Sequence, residues 1–109
     1  MIKFNGDIMK INEDFLNQIY GVVEEIPFGK VITYGEIAKL AGYDKNSRLV
    51  GRALSMAGMY GNFPCHRVVN SAGRLVHGWH EQKELLLKEG ITFKKNGNVD
   101  LIKHLWNGE

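Results

Sequence analysis

Cysteine is almost missing from this sequence. Cys65 stands alone among 109 residues. One cysteine cannot form an internal disulfide, which points to a reducing, cytoplasmic compartment. Long apolar runs are missing too, so no segment reads as a transmembrane helix and no membrane association is expected. The first ten residues, MIKFNGDIMK, have neither the apolar stretch nor the small-residue cleavage site of a signal peptide. No internal repeat, low-complexity tract or linker interrupts the chain. Strong net charge is also lacking: the balance is +2, too small by itself to establish a nucleic-acid partner. What remains is an ordinary soluble composition, 44% hydrophobic and 24% charged. Its length suits one domain, residues 1–109, with a real core.

The charge is unevenly spread. Between Tyr43 and His80 there are five basic residues, Lys45, Arg48, Arg52, Arg67 and Arg74, against one acidic residue, Asp44. His66, His77 and His80 lie in the same third of the chain, around the cysteine. The pattern fits a basic binding face, and it also fits a solvated surface that happens to be basic.

Hydrophobic spacing predicts a mainly α domain with a little β structure. Asn12 can cap a helix carrying Phe15, Leu16, Ile19, Tyr20, Val22, Val23 and Ile26, stopped by Pro27 and Gly29. TYGE, Thr33 to Glu36, reads as a capping box opening a short helix that runs to Leu40, with Gly42 beyond its end. Asn46 or Ser47 can cap the next helix, which carries Leu49, Val50, Ala53 and Leu54. Two short helices joined by a tight turn make a helix-turn-helix candidate. On the second, Arg48, Arg52 and Ser55 share one face. Gly51 costs that helix about 1 kcal/mol against alanine; it either admits another backbone or has no role. HRVV predicts a short buried strand. A helix is expected from about His80 to Lys88, with Leu85, Leu86 and Leu87 on or near its buried side and Gly90 as its stop. ITFKKNGNVDL predicts a hairpin turning at Asn96-Gly97. IKHLW predicts a short docking segment whose Trp106 fills the core.

Cys65 is either a nucleophile or a small core residue. A free thiol titrates near pH 8.5 and must become thiolate to attack carbon, so it needs a base or a cationic neighbour. His66 is adjacent, but adjacent side chains of an extended segment face opposite ways. A bent backbone or a bridging water is required. The base needs an orienting third group, and Glu89 is a candidate only if the fold brings it near.

IPFGKVITYGEIAKLAG, RLVGRAL, PCHRVVNSAG and the pair EG occur in this order, and together they resemble the C-terminal domain of the alkylguanine-DNA alkyltransferase family. The likeness runs from about Phe15 to Gly90. It implies a winged helix-turn-helix-like domain that enters the minor groove of double-stranded DNA and flips out an alkylated guanine. The alkyl group then moves from guanine O6 to the cysteine, once and without a cofactor, as in a methylated-DNA–protein-cysteine methyltransferase. By this resemblance Cys65 is the alkyl acceptor. His66 acts on it through a water, and Glu89 orients His66. Arg48 fills the gap left by the flipped nucleotide. Tyr34 helps rotate it and contacts the base. Arg52, Ser55 and Gly51 complete the DNA-facing helix. Pro64 and the backbone carbonyl of Val68 belong to the lesion pocket.

The sequence departs from the family in several places. The family's N-terminal domain has no counterpart, and its asparagine hinge before the cysteine is replaced by SMAGMYGNF. The pocket-walling loop is shortened to LVHGWHEQ. Trp79 either walls the pocket there or packs in the core. These departures resemble the alkyltransferase-like proteins, which replace the cysteine, flip the lesion without repairing it and flag it for nucleotide excision repair. Two readings follow: transfer to Cys65, or lesion binding that recruits nucleotide excision repair proteins. A promoter-binding helix-turn-helix regulator would leave PCHRVV unexplained, and no oxyanion hole supports a cysteine hydrolase. His77 and His80 are too few for a metal site, so no metal is expected. A monomer is expected.

Overall fold

A computed structural model of the chain describes residues 11–109. The expectation that MIKFNGDIMK is not a signal peptide therefore concerns residues outside the described ones.

Helix α1 is Glu13–Glu24. Asn12 caps it: the side-chain oxygen accepts from the Phe15 N–H at 2.9 Å, satisfying a donor the helix itself leaves open. Glu13 and Asp14 occupy the first turn, where negative charge suits the helix dipole. Phe15, Leu16, Ile19, Tyr20 and Val23 form its buried stripe. Strand β1, Ile32–Thr33, leads directly into α2, Tyr34–Leu40. The Thr33 hydroxyl accepts from the Glu36 N–H at 3.2 Å, so TYGE does start the helix. Gly42, at φ +89°, turns the chain beyond it. Helix α3, Ser47–Ser55, begins after Asn46 and buries Leu49, Val50 and Ala53. Those residues pack with Ile37 and Ala38 of α2 in the main core, which locks the two helices into a helix-turn-helix pair.

After a 3-10 turn at Ala57–Met59 comes a second at Cys65–Arg67, then strand β2, Val68–Val69. The strands pair in parallel, Ile32 opposite Val68 and Thr33 opposite Val69. Helix α4 is Glu81–Lys88 and α5 is Leu101–His104. The domain is thus mainly helical with a two-stranded sheet. A second cluster of Val31, Val69, Leu86, Ile91 and Val99 lies on the far side of the strands. Burying each such side chain is worth about 1.5–3 kcal/mol. Trp106 joins the main core at 6% exposure, as expected.

Three local expectations change. HRVV is not one strand, because its first half curls into the 3-10 turn. Of the three consecutive leucines in α4 only Leu86 is buried, and Leu87 is exposed. Successive residues on a helix are too far apart in angle for all three to face one side. The expected hairpin reduces to one antiparallel bridge, Phe93 to Val99, around a turn with Gly97 at φ +90°. Gly73 is a true steric requirement. At φ +87° its missing Cβ would stand 2.6 Å from the Val99 carbonyl oxygen.

Candidate active site

The 3-10 turn answers the objection raised by adjacency. Pro64 precedes it, the Cys65 N–H donates to the Phe63 carbonyl at 2.8 Å, and the Arg67 N–H to that of Pro64 at 3.0 Å. In such a turn consecutive side chains diverge by about 120° rather than 180°. Cys65 and His66 can therefore serve one site.

Glu89, at the end of α4, is the anchor of that site. Its side chain is only 5% exposed. One oxygen lies 2.6 Å from His66 Nε2. Arg67 Nε donates to both oxygens at 2.9 and 3.0 Å, and the Gly29 N–H donates to one at 2.8 Å. Arg67 also donates to the Ile26 carbonyl at 2.8 Å and covers the exposed ring of Phe28. Burial pushes the Glu89 carboxyl up, but the hydrogen bonds from Arg67, Gly29 and His66, with the Arg67 charge, outweigh it and hold the group below its usual value. Glu89 is therefore a carboxylate that only accepts. His66 Nε2 must carry the proton in that contact, a tautomer inferred from the network. In the neutral imidazole Nδ1 then keeps the lone pair that a base for the thiol requires.

Cys65 is half-buried, and burial pushes its thiol up. Tyr34 is half-buried too. Burial first, and the nearness of Cys65 second, keep its hydroxyl protonated. Tyr34 also flanks α3: a Cβ on Gly51 would lie 4.0 Å from its ring. A line of neighbours thus connects Gly51, Tyr34 and Cys65. Arg48, Arg52 and Ser55 are exposed on α3, opposite its buried residues. The Ser55 hydroxyl donates back to the Arg52 carbonyl at 2.7 Å.

A cleft of about 570 Å³ opens beside the turn, lined among others by Phe63, Pro64, His66, Arg67 and Trp79. It brings together two residues expected in a pocket, Pro64 and Trp79. Cys65 itself, Tyr34 and Val68 do not line it, so the turn reaches the cleft through Pro64, His66 and Arg67. Val68 is fully buried, and its carbonyl accepts from Gln82 Nε2 at 3.1 Å. Among the described residues no group of three or more histidine, cysteine, aspartate and glutamate side chains could hold a metal ion.

Sequence reasoning gave no role to Arg67 or Gln82. Arg67 had a signal, since a buried carboxylate needs a cation and this arginine lies in the same motif. For Gln82 the signal was slight: it stands four residues before Leu86, on the buried side of α4.

A helix-turn-helix pair set against a cysteine–histidine–glutamate site is the build of an alkyltransferase domain. Residues 14–91 match the family described as 6-O-methylguanine DNA methyltransferase, DNA binding domain, and the chain belongs to this alkylguanine-DNA alkyltransferase family. It is 42% identical over 97 residues to the DNA base-flipping protein of Vibrio parahaemolyticus, covering 86% of this chain and 97% of the relative. It is 41% identical over 78 residues to the methylated-DNA–protein-cysteine methyltransferase of Methanosarcina acetivorans, covering 69% of this chain but 49% of the relative. The crystal structure of Schizosaccharomyces pombe Atl1 in complex with damaged DNA containing O6-carboxymethylguanine superposes with a TM-score of 0.77 at 33% identity. That match covers 88% of this chain and 97% of the other.

Proposed function

We propose that this protein recognises alkylated guanine in double-stranded DNA, turns it out of the stack and accepts its O6-alkyl group on Cys65. The observation that carries the reading is the His66–Glu89 contact of 2.6 Å on the same turn as the thiol. Glu89 fixes the imidazole so that Nδ1 is the basic nitrogen. Through a water, Nδ1 takes the thiol proton. The sulfur then forms a bond to the alkyl carbon as the carbon–O6 bond breaks, and the bonding pair passes to the guanine. The guanine takes up one proton, for which the Tyr34 hydroxyl is the donor, and the His66 proton restores the tyrosine. The thiol has lost a proton and the base has gained one, so no cofactor enters the balance.

Arg48 on α3 enters the gap left by the extruded nucleotide. Extrusion costs a few kcal/mol, less for a damaged pair; a cation inserted into the duplex offsets part of that. The protein acts as a monomer in the cytoplasm.

A second reading has specific support. Burial pushes the Cys65 thiol up, away from the reactive thiolate. Relatives carry the names DNA base-flipping protein and alkyltransferase-like protein. On this reading the protein binds and extrudes the lesion without transfer, and nucleotide excision repair proteins are its partners.

Intact-protein mass spectrometry after incubation with a duplex carrying one O6-methylguanine separates the two. Transfer adds the mass of one methyl group in exchange for a proton, and Cys65→Ala adds nothing. An unchanged mass with tight, selective binding of the same duplex would leave the binding-only reading.

A further inference from the structure

Gln82 is the one fully buried polar side chain among the described residues. Every polar atom of its amide is used. Nε2 donates to the carbonyls of His66 at 3.0 Å and Val68 at 3.1 Å, and Oε1 accepts from the Val76 N–H at 2.7 Å. Only a primary amide offers two donors and an acceptor in this arrangement. A glutamate would set a carboxylate against two carbonyls.

The three partners fall into two groups. His66 and Val68 bracket the bend that turns the 3-10 turn into β2, and so fix where the reacting turn sits. Val76 belongs to the short loop that carries Trp79 into the cleft. Within that loop the Trp79 N–H donates to the Val76 carbonyl at 3.3 Å, and the Gln82 N–H to that of Trp79 at 3.2 Å. One side chain thus ties the cleft wall at Trp79 to the turn that carries Cys65 and His66.

We propose that Gln82 is a positioning residue that sets the gap between the Trp79 wall and the reacting turn, and thereby which O6-alkyl groups the site admits. This rests on the alkylguanine reading of the site. Gln82 touches neither lesion nor sulfur, and it acts through the two segments it joins. Its three hydrogen-bond partners, His66, Val68 and Val76, all lie outside α3, so binding to undamaged DNA should not depend on it.

The test uses the Cys65→Ala protein, in which no transfer disturbs the equilibrium. Gln82→Met keeps length and apolar bulk and removes the amide. Fluorescence anisotropy measures affinity for an undamaged duplex, for one with O6-methylguanine and for one with O6-benzylguanine. Affinity for the undamaged duplex should stay within about twofold, while the methyl-to-benzyl preference should change about tenfold, the scale of lost buried hydrogen bonds. In a Trp79→Ala background Gln82→Met should change that preference no further, because the wall it holds is gone. A folded Gln82→Met protein with an unaltered preference, or one that loses all three affinities together, overturns the role of Gln82.

If Gln82→Met does not fold, nitrogen-15 NMR of the Cys65→Ala protein decides. The Gln82 amide protons should exchange slowly and shift on binding either lesion duplex but not the undamaged one. Fast exchange or no selective shift overturns the proposal. If Cys65→Ala with Gln82 intact does not prefer a lesion over undamaged DNA, the functional reading itself fails, and the proposal with it.

Discussion

Glu89 and His66 meet at 2.6 Å across 23 positions of chain, in a pocket where the same carboxylate also receives Arg67 and the Gly29 N–H. The contact joins the end of α4 to the turn before β2. It assigns the proton of that contact to Nε2, and on the proposed reading Nδ1 is then the nitrogen that takes the thiol proton.

Glu89→Gln should weaken both chemistry and fold. An amide cannot accept from Arg67, Gly29 and His66 together, and Arg67 is left without its counter-charge. Transfer should slow by about a hundredfold or more, the usual worth of an oriented base. Stability at pH 7 should fall by about 3 kcal/mol, as for a broken buried pair. The pH dependence has a definite sign. Glu89 is held below its usual value, so its stabilisation is present above the unfolded pKa, about 4.3, and is lost as pH falls through the folded value. Urea titrations at pH 7 and pH 3 should therefore show a gap between wild type and Glu89→Gln that narrows in acid. A gap that stays constant would mean that Glu89 is not the charged anchor of the site.

His66→Ala should make transfer depend on pH in a way the wild-type protein does not. With His66 in place the thiol proton moves within the site, and the rate should be flat between about pH 7 and 8.5. Without it, Cys65 must ionise to solvent. Burial pushes that thiol above its ordinary pKa of about 8.5, so little thiolate exists at neutral pH. The His66→Ala rate should be low at pH 7 and rise about tenfold per pH unit, because thiolate grows in that proportion below the pKa. Single-turnover rates by mass spectrometry check this. A flat profile in His66→Ala would show that the histidine does not take the thiol proton.

Much of the scaffold was legible because its causes are local. Asn12 and Thr33 cap helices within three residues of themselves, and the apolar stripes of α1 and α3 recur at helical spacing. The expected helix-turn-helix followed from those signals. The site was legible only through its motif. Periodicity does not bring Glu89 to His66; that takes the packing of α4 against the strands. HRVV was misread for a related reason. Four residues with a buried-strand pattern are bent by the turn that begins after Pro64, whose backbone leaves the extended region (φ −77°, ψ 59°). Gln82 stayed silent because a buried amide looks like any polar helix residue until its three partners are in view. Leu87 looked buried because composition does not record the angle at which a helix meets the core.

Gly51→Ala separates a glycine kept for packing from one kept for a partner. It lies inside α3, half-buried, and its backbone is not in the left-handed region. Among the described residues beyond its chain neighbours and its own helix backbone, the only atom within 4 Å of an added methyl is the Tyr34 ring carbon, at 4.0 Å, ordinary contact with nothing to displace. The fold therefore gives no reason to avoid alanine, and helix propensity favours it by up to about 1 kcal/mol. Thermal melting should show Gly51→Ala as stable as wild type, or more so by that amount. If α3 is the helix that approaches DNA, the same methyl would meet the duplex, and anisotropy should show affinity reduced about tenfold for damaged and undamaged DNA alike, the effect of about 1.4 kcal/mol of lost contact. A protein that is stabilised and binds normally would place the DNA on another face. One that is destabilised would mean that the glycine serves the packing of α3 itself.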